Sequence, residues 1–227
     1  MKLPLLLVNF KTYKESTGKN AVKMANICEA VAKKYDVNVA VAPNILDLSE
    51  VASRVKIPVF SQHIDPILKD GKHTGHVLAE NVKAIGAIGT LLNHSERRLK
   101  LEEIEECIKI AKSFDLITVC CSESPERSEQ IARLGPDFIA YEDPVLIGSG
   151  QPISKAKADS VKEFVRILER TNPKVIPFCG AGISTGEDVK AAIELGTKGV
   201  IVASAVILAK NPRKIVEDMA KALINKK

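Results

Sequence analysis

Phe138-Ile139-Ala140-Tyr141-Glu142-Asp143-Pro144-Val145-Leu146-Ile147-Gly148-Ser149-Gly150 sets a carboxylate at the end of an apolar run and follows it with a glycine-hinged loop. The run Phe138 to Tyr141 has the length and composition of a buried strand. A strand with no polar alternation is covered on both faces, which is the condition of a parallel sheet with helices packed on it. In such folds the reacting groups stand at the C-terminal ends of strands, on the loops that lead into helices. Glu142 is thereby a candidate base beneath a candidate lid. Taken alone it would be an ordinary solvated turn residue, so the reading depends on what the other strand ends bring to the same place.

Working outward, the same unit recurs. Apolar runs expected as strands are Leu5 to Asn9, Val37 to Ala42, Val59 to His63, Thr90 to Asn93, Ile117 to Cys121, Phe138 to Glu142, Val175 to Cys179 and Val200 to Ala203. Between them lie stretches with apolar residues three and four apart, such as Leu101, Ile104, Ile108 and Ala111, or Ile215, Met219, Ala220 and Leu223. Eight strand-helix alternations favour closure into a (β/α)8 barrel, eight parallel strands with outer helices, because closure leaves no edge strand to protect. The 227 residues suit one such barrel, and no Pro-, Gly- or Ser-rich linker divides them. A single domain over residues 1–227 is the expectation.

Composition narrows the function. The formal charge of +5 comes from lysines interleaved with glutamates, the pattern of solvated helix faces, and suits a small anionic substrate. Nucleic acid is disfavoured by the absence of Trp and the small aromatic content, which leave little to stack bases on. Five cysteines, odd in number and without CxxC spacing, read as reduced thiols of a cytoplasmic protein. No apolar run has the length of a signal core or a membrane span.

A barrel brings the strand ends to one mouth. Asn9 and Lys11 follow the first strand; His94, Ser95 and Glu96 the fourth; Glu142 the sixth; Cys179-Gly180-Ala181-Gly182-Ile183-Ser184 the seventh; and Ala203-Ser204-Ala205 the eighth. Singly, each has an ordinary explanation: Lys11 as a surface lysine, His94 as a loop or core histidine. Gly180 to Gly186 resembles a dinucleotide turn, but that use needs an acid at the end of the next strand, and Val202-Ala203-Ser204 has none. Glycine turns after the seventh and eighth strands still present amides to a phosphate, so a phosphate site is expected there. His63, His73 and His76 are close in sequence, but glycine interrupts them and no third ligand is suitably spaced, so no metal site is expected. Ser95 lacks a Gly-x-Ser-x-Gly elbow, which argues against acyl chemistry.

Over nearly its whole length the chain resembles the triosephosphate isomerase family, in its short archaeal form. The likeness rests on Asn9-Phe10-Lys11-Thr12-Tyr13, Gln62-His63-Ile64-Asp65, Gly89-Thr90-Leu91-Leu92-Asn93-His94-Ser95-Glu96-Arg97-Arg98, the loop after Glu142, Cys179 to Ser184, and Val202-Ala203-Ser204. It implies a TIM barrel and a cofactor-free isomerase of glycolysis and gluconeogenesis that interconverts dihydroxyacetone phosphate and D-glyceraldehyde 3-phosphate. By the same resemblance Glu142 is the base, and neutral His94 donates to the carbonyl oxygens. Lys11 supplies positive charge, Asn9 orients it and Glu96 holds it. Amides of Ile147, Gly148, Gly182, Ala203 and Ser204 bind the phosphate beneath the closing lid. The segment Asp70 to His76 is expected to dock into a neighbouring subunit of a homodimer or homotetramer. Two residues depart from the family pattern. Asp143 stands where proline usually follows the base, and is expected to point to solvent and loosen the hinge; Ala205 replaces a common glycine, which matters only if that position needs a positive φ. A barrel that binds a sugar phosphate without turnover is one rival. An indole glycerol phosphate synthase is another, disfavoured because the aromatic residues fall mostly inside strands and helices.

Overall fold

The computed structural model describes residues 2–146, 151 and 158–224. Its strands are β1 (Leu5–Asn9), β2 (Asn38–Ala42), β3 (Phe60–Ser61), β4 (Gly89–Leu92), β5 (Ile117–Ser122), β6 (Phe138–Tyr141), β7 (Ile176–Cys179) and β8 (Gly199–Val202). The helices used below are α1 (Lys19–Tyr35), α2 (Leu48–Arg54), α3 (Ala79–Ala84), α4 (Leu101–Ser113), α5 (Pro125–Leu134), α6 (Ala158–Thr171), α7 (Gly186–Glu194), α8 (Ser204–Ile207) and α9 (Pro212–Leu223).

All the ladder pairings are parallel, and the strands run in the order β2-β1-β8-β7-β6-β5-β4-β3. The remaining gap, between β2 and β3, is spanned by a parallel bridge from Val41 to Val59, with Val41 N–H donating to Pro58 O at 3.0 Å. The sheet therefore closes on itself as a TIM barrel.

Strand alternation divides the apolar residues into two cores. Leu5, Leu7, Ala40, Ala42, Phe60, Leu91, Val119, Cys121, Phe138, Ala140, Phe178 and Ile201 fill the barrel interior. Their neighbours, such as Leu6, Val8, Val39, Val41, Cys120 and Ile139, point outward into the layer shared with the helices. On α4 the buried positions are Ile104, Cys107, Ile108, Ile110 and Ala111; on α9 they are Val216, Met219, Ala220 and Leu223. Helix starts are fixed by sequence. Ser124 and Asn211 each cap a helix that begins with proline, and Thr185 forms a capping box with Asp188.

Strand ends differ from the apolar runs where a side chain captures the backbone. Ser61 Oγ donates to His63 O at 2.6 Å, closing a turn that takes Gln62 and His63 out of β3. Asn93 has φ 55, a left-handed conformation that asparagine tolerates, so β4 stops at Leu92. All five cysteines are free and buried. Among the described residues no helix is long and apolar enough to cross a membrane.

Candidate active site

A cavity of about 280 Å³ opens at the C-terminal mouth of the barrel, lined by Asn9, Lys11, His94, Ser95, Glu142, Gly180, Gly182, Ala203, Ser204 and Ala205 among others. Glu142 emerges from β6 directly into it. Its backbone N–H donates to Ser122 O at 2.8 Å, which carries the β5–β6 pairing one residue beyond the strand. The side chain is 3 % exposed, and Oε2 has no hydrogen-bond partner among the described residues. Burial is the largest influence on this carboxyl and pushes its pKa up; contacts with His94, the Ser95 N–H, Arg98 and the Cys121 thiol oppose that rise without cancelling it. Room for the carboxylate depends on Gly180. A β-carbon there would stand 2.6 Å from Glu142 Cγ, inside van der Waals contact.

His94 follows the left-handed Asn93, whose amide ties the turn down on both sides. Asn93 Nδ2 donates to Cys121 O at 2.8 Å, and its Oδ1 accepts from Leu99 N at 2.9 Å. The Glu96 N–H donates to His94 Nδ1 at 3.2 Å, so Nδ1 carries no proton and the ring proton sits on Nε2. Nε2 lies 3.5 Å from Glu142 Oε1, too far for a full hydrogen bond. A carboxylate and an N–H donor thus face one another across a gap.

Lys11 reaches the same cavity from β1. Its φ of 49 is left-handed, a conformation that costs a non-glycine residue about 1–3 kcal/mol and persists only when its surroundings fix it. Two side chains do so. Asn9 Oδ1 accepts from Lys11 N at 3.0 Å, and Gln62 Nε2 donates to Asn9 Oδ1, Lys11 O and Ala42 O at 3.2, 3.0 and 3.0 Å. Lys11 Nζ then pairs with Glu96 Oε1 at 2.7 Å, an ion pair whose glutamate is largely exposed. Gln62 is a residue that sequence reasoning misses, although a polar side chain near the end of an apolar strand is a signal; Gly180, expected within the phosphate turn, instead makes room for the Glu142 side chain.

Gly182 (φ 68), Ala203 and Ser204 line the same cavity. Ala205 lies inside α8 and is not among the residues with positive φ, so replacing glycine there requires no strained backbone. Ile147 and Gly148, expected to contribute amides, lie outside the described residues. Asp143 requires a correction. It is 6 % exposed rather than turned to solvent, and its carboxylate accepts from Tyr141 OH at 3.2 Å and from Val145 N at 2.9 Å. Leu146 N donates to Asp143 O at 2.9 Å, so the stretch after Glu142 is a hydrogen-bonded turn with proline in its second position.

The histidines beside the mouth serve the fold. His63 Nε2 and His76 Nδ1 lie 3.0 and 3.3 Å from different oxygens of Asp65, which also accepts from Arg97 Nη2 at 3.1 Å and Val77 N at 2.7 Å. Among the described residues no group of three or more His, Cys, Asp or Glu is arranged to hold a metal ion.

A closed parallel barrel with a buried carboxylate, a polarised imidazole and a constrained lysine at its C-terminal mouth is the outline of a barrel enzyme acting on a small polar substrate. The family model described as triosephosphate isomerase matches residues 4–219. Proteins named triosephosphate isomerase are similar along nearly the full length: that of Methanothermus fervidus is 52 % identical over 219 residues, covering 96 % of this chain and 98 % of its own. The protein of that name from Methanobacterium bryantii is 51 % identical over 216 residues, 95 % of each chain. That of Methanosarcina barkeri is 46 % identical over 223 residues, 98 % of this chain and 100 % of its own. This chain belongs to the triosephosphate isomerase family.

Proposed function

We propose that this single-domain barrel interconverts dihydroxyacetone phosphate and D-glyceraldehyde 3-phosphate by proton transfer through an enediolate, as a step of glycolysis and gluconeogenesis. The observation that carries the residue assignment is the buried, unpartnered Glu142 Oε2 beside His94 in the mouth cavity. A carboxylate held out of water, with a free lone pair, is a base waiting for a substrate C–H.

Glu142 takes the proton from the carbon next to the carbonyl, and the electron pair of that C–H bond becomes the enediolate double bond. The carbonyl π pair moves onto oxygen, where His94 Nε2–H donates a hydrogen bond and Lys11 Nζ supplies charge. A second proton passes from the neighbouring hydroxyl to that oxygen, and returning the abstracted proton to the adjacent carbon then completes the isomerisation with no net change in atoms or electrons. Donors fixed before the reaction need no reorganisation as charge develops, which is why such groups outperform water. Asn9 and Glu96 hold Lys11, while Gly182, Ala203 and Ser204, with Ile147 and Gly148, receive the phosphate. The mechanism calls on no cofactor.

A homodimer or homotetramer is the assembly we propose. It is supported by a second cavity of about 220 Å³ that borders the first and shares Asn9, Lys11 and His94 with it. Leu46, which follows the lining residue Ile45, is 84 % exposed. Five buried thiols suit a reducing compartment, and we place the enzyme in the cytoplasm, without nucleic-acid or membrane partners. A coupled assay of triose phosphate isomerisation tests the function. The natural chain turns over, and Glu142→Gln loses roughly 10²–10⁴-fold in kcat, the range for a general base. Absence of turnover by a folded chain that binds phosphoglycolate makes it a binding protein and overturns the reading.

A further inference from the structure

Glu142 is flanked by two residues whose side chains are joined to each other. In an extended chain, positions i and i+2 share a side and the residue between them points the opposite way. Tyr141 points outward into the helix layer, where its ring stacks on Phe164 of α6 with centroids 5.4 Å apart and planes at 21°. Its hydroxyl donates to Asp143 Oδ2 at 3.2 Å, while Asp143 Oδ1 accepts the Val145 N–H at 2.9 Å. Glu142, between them, is left pointing into the mouth.

We propose that Tyr141 and Asp143 form a clasp that positions Glu142, fixing the backbone on both sides of the base so that its carboxylate is held buried beside His94. Tyr141 and Asp143 are positioning residues, since neither lines the mouth cavity. The inference rests on Glu142 acting as the base. Three features support it. Tyr141 and Asp143 are only 2 % and 6 % exposed, so the hydrogen bond between their side chains is strong and leaving it unmade is costly. The clasp is moored through the Tyr141 ring to Phe164 of α6, outside the site. Finally, Glu142 Oε2 makes no hydrogen bond among the described residues, so the backbone on either side shares with the contacts to His94, the Ser95 N–H and the Cys121 thiol the work of placing the carboxylate.

The test uses Tyr141→Phe, Asp143→Ala, the double variant and Asp143→Asn in the full-length chain, each checked for folding by circular dichroism. Asparagine keeps an acceptor for Val145 N–H and offers an N–H to the Tyr141 oxygen, so it preserves the clasp without the charge. Because misplacing a reacting group by 1 Å costs on the order of a hundredfold, loosening one of several restraints on the base should lower kcat roughly tenfold in Asp143→Ala. KM should stay within about twofold, as the phosphate wall is untouched. Tyr141→Phe should give a smaller loss, the double variant no more than Asp143→Ala alone, and Asp143→Asn should recover most of the rate. Amide hydrogen exchange at Val145 should accelerate in Asp143→Ala and stay slow in Asp143→Asn, a readout independent of turnover. Unchanged kcat in Asp143→Ala overturns the proposal, as does a loss confined to KM or an Asp143→Asn variant as slow as Asp143→Ala. Failure of the natural chain to isomerise strikes instead at Glu142 as base and leaves the exchange result to judge the clasp.

Discussion

Burial holds the Glu142 carboxyl above the ordinary 4.5, and that one displacement has consequences for both rate and stability. The base works only when ionised, so the acid limb of the pH–rate profile should fall above 4.5. A carboxyl whose folded pKa is raised favours the fold below the unfolded pKa and loses that contribution as pH rises through the folded value. Glu142→Gln removes the charge and its desolvation penalty. Thermal melts should therefore show the variant more stable than the natural chain at pH 8, with the difference shrinking to nothing below the ordinary glutamate range; equal melting temperatures at pH 8 would count against a strained base. The place of Glu142 at the mouth was legible in the sequence only through the company of the other strand ends, because a carboxylate after an apolar run is by itself an ordinary turn residue. Asp143 was misread for a related reason. An aspartate before proline is common in exposed turns, and nothing in one dimension shows that the Tyr141 hydroxyl, on the same side of the chain, is buried and in need of an acceptor.

At the junction of β1, β2 and β3, one amide does the work of three. Gln62 donates to Asn9 Oδ1, Lys11 O and Ala42 O, and so supports the left-handed Lys11 against its own backbone preference. Gln62→Leu should take away the Lys11 O donor, leave Asn9 Oδ1 and Ala42 O with only the Lys11 and Phe10 N–H groups, and lower stability by about 1–3 kcal/mol in denaturant titration. It should also lower kcat, because Lys11 Nζ is no longer fixed relative to His94; a stability loss with kcat intact would reduce Gln62 to a structural role. The eight strands were legible from apolar runs, since a strand buried on both faces has no polar alternation to confuse the count. Some of their ends were not, although β1 spans Leu5–Asn9 as expected. Ser61 turns the chain out of β3 and Asn93 turns it out of β4, both through side-chain hydrogen bonds that periodicity does not register. The function of Gln62 was hidden for the same reason, as its partners lie 20 to 53 residues away.

For the molecule as a whole, barrel closure gathers residues as distant as Asn9 and Ser204 around one cavity. The parallel pairing of β1 with β8 joins the two ends of the chain and so completes the mouth. The second cavity beside it and the exposed Leu46 lead to a prediction about assembly: light scattering should give a mass of two or four chains, and Leu46→Glu should lower it. A fully active monomer would contradict the proposed homo-oligomer. The central claim, that Glu142 passes a proton through an enediolate at this mouth, is tested most directly by turnover in D₂O followed by proton NMR. We predict that product formed by the natural chain carries solvent deuterium on the carbon that received the proton, and that Glu142→Gln forms neither product nor exchanged substrate at a comparable rate. Isomerisation without deuterium from solvent, or undiminished exchange in the Glu142→Gln variant, would contradict it.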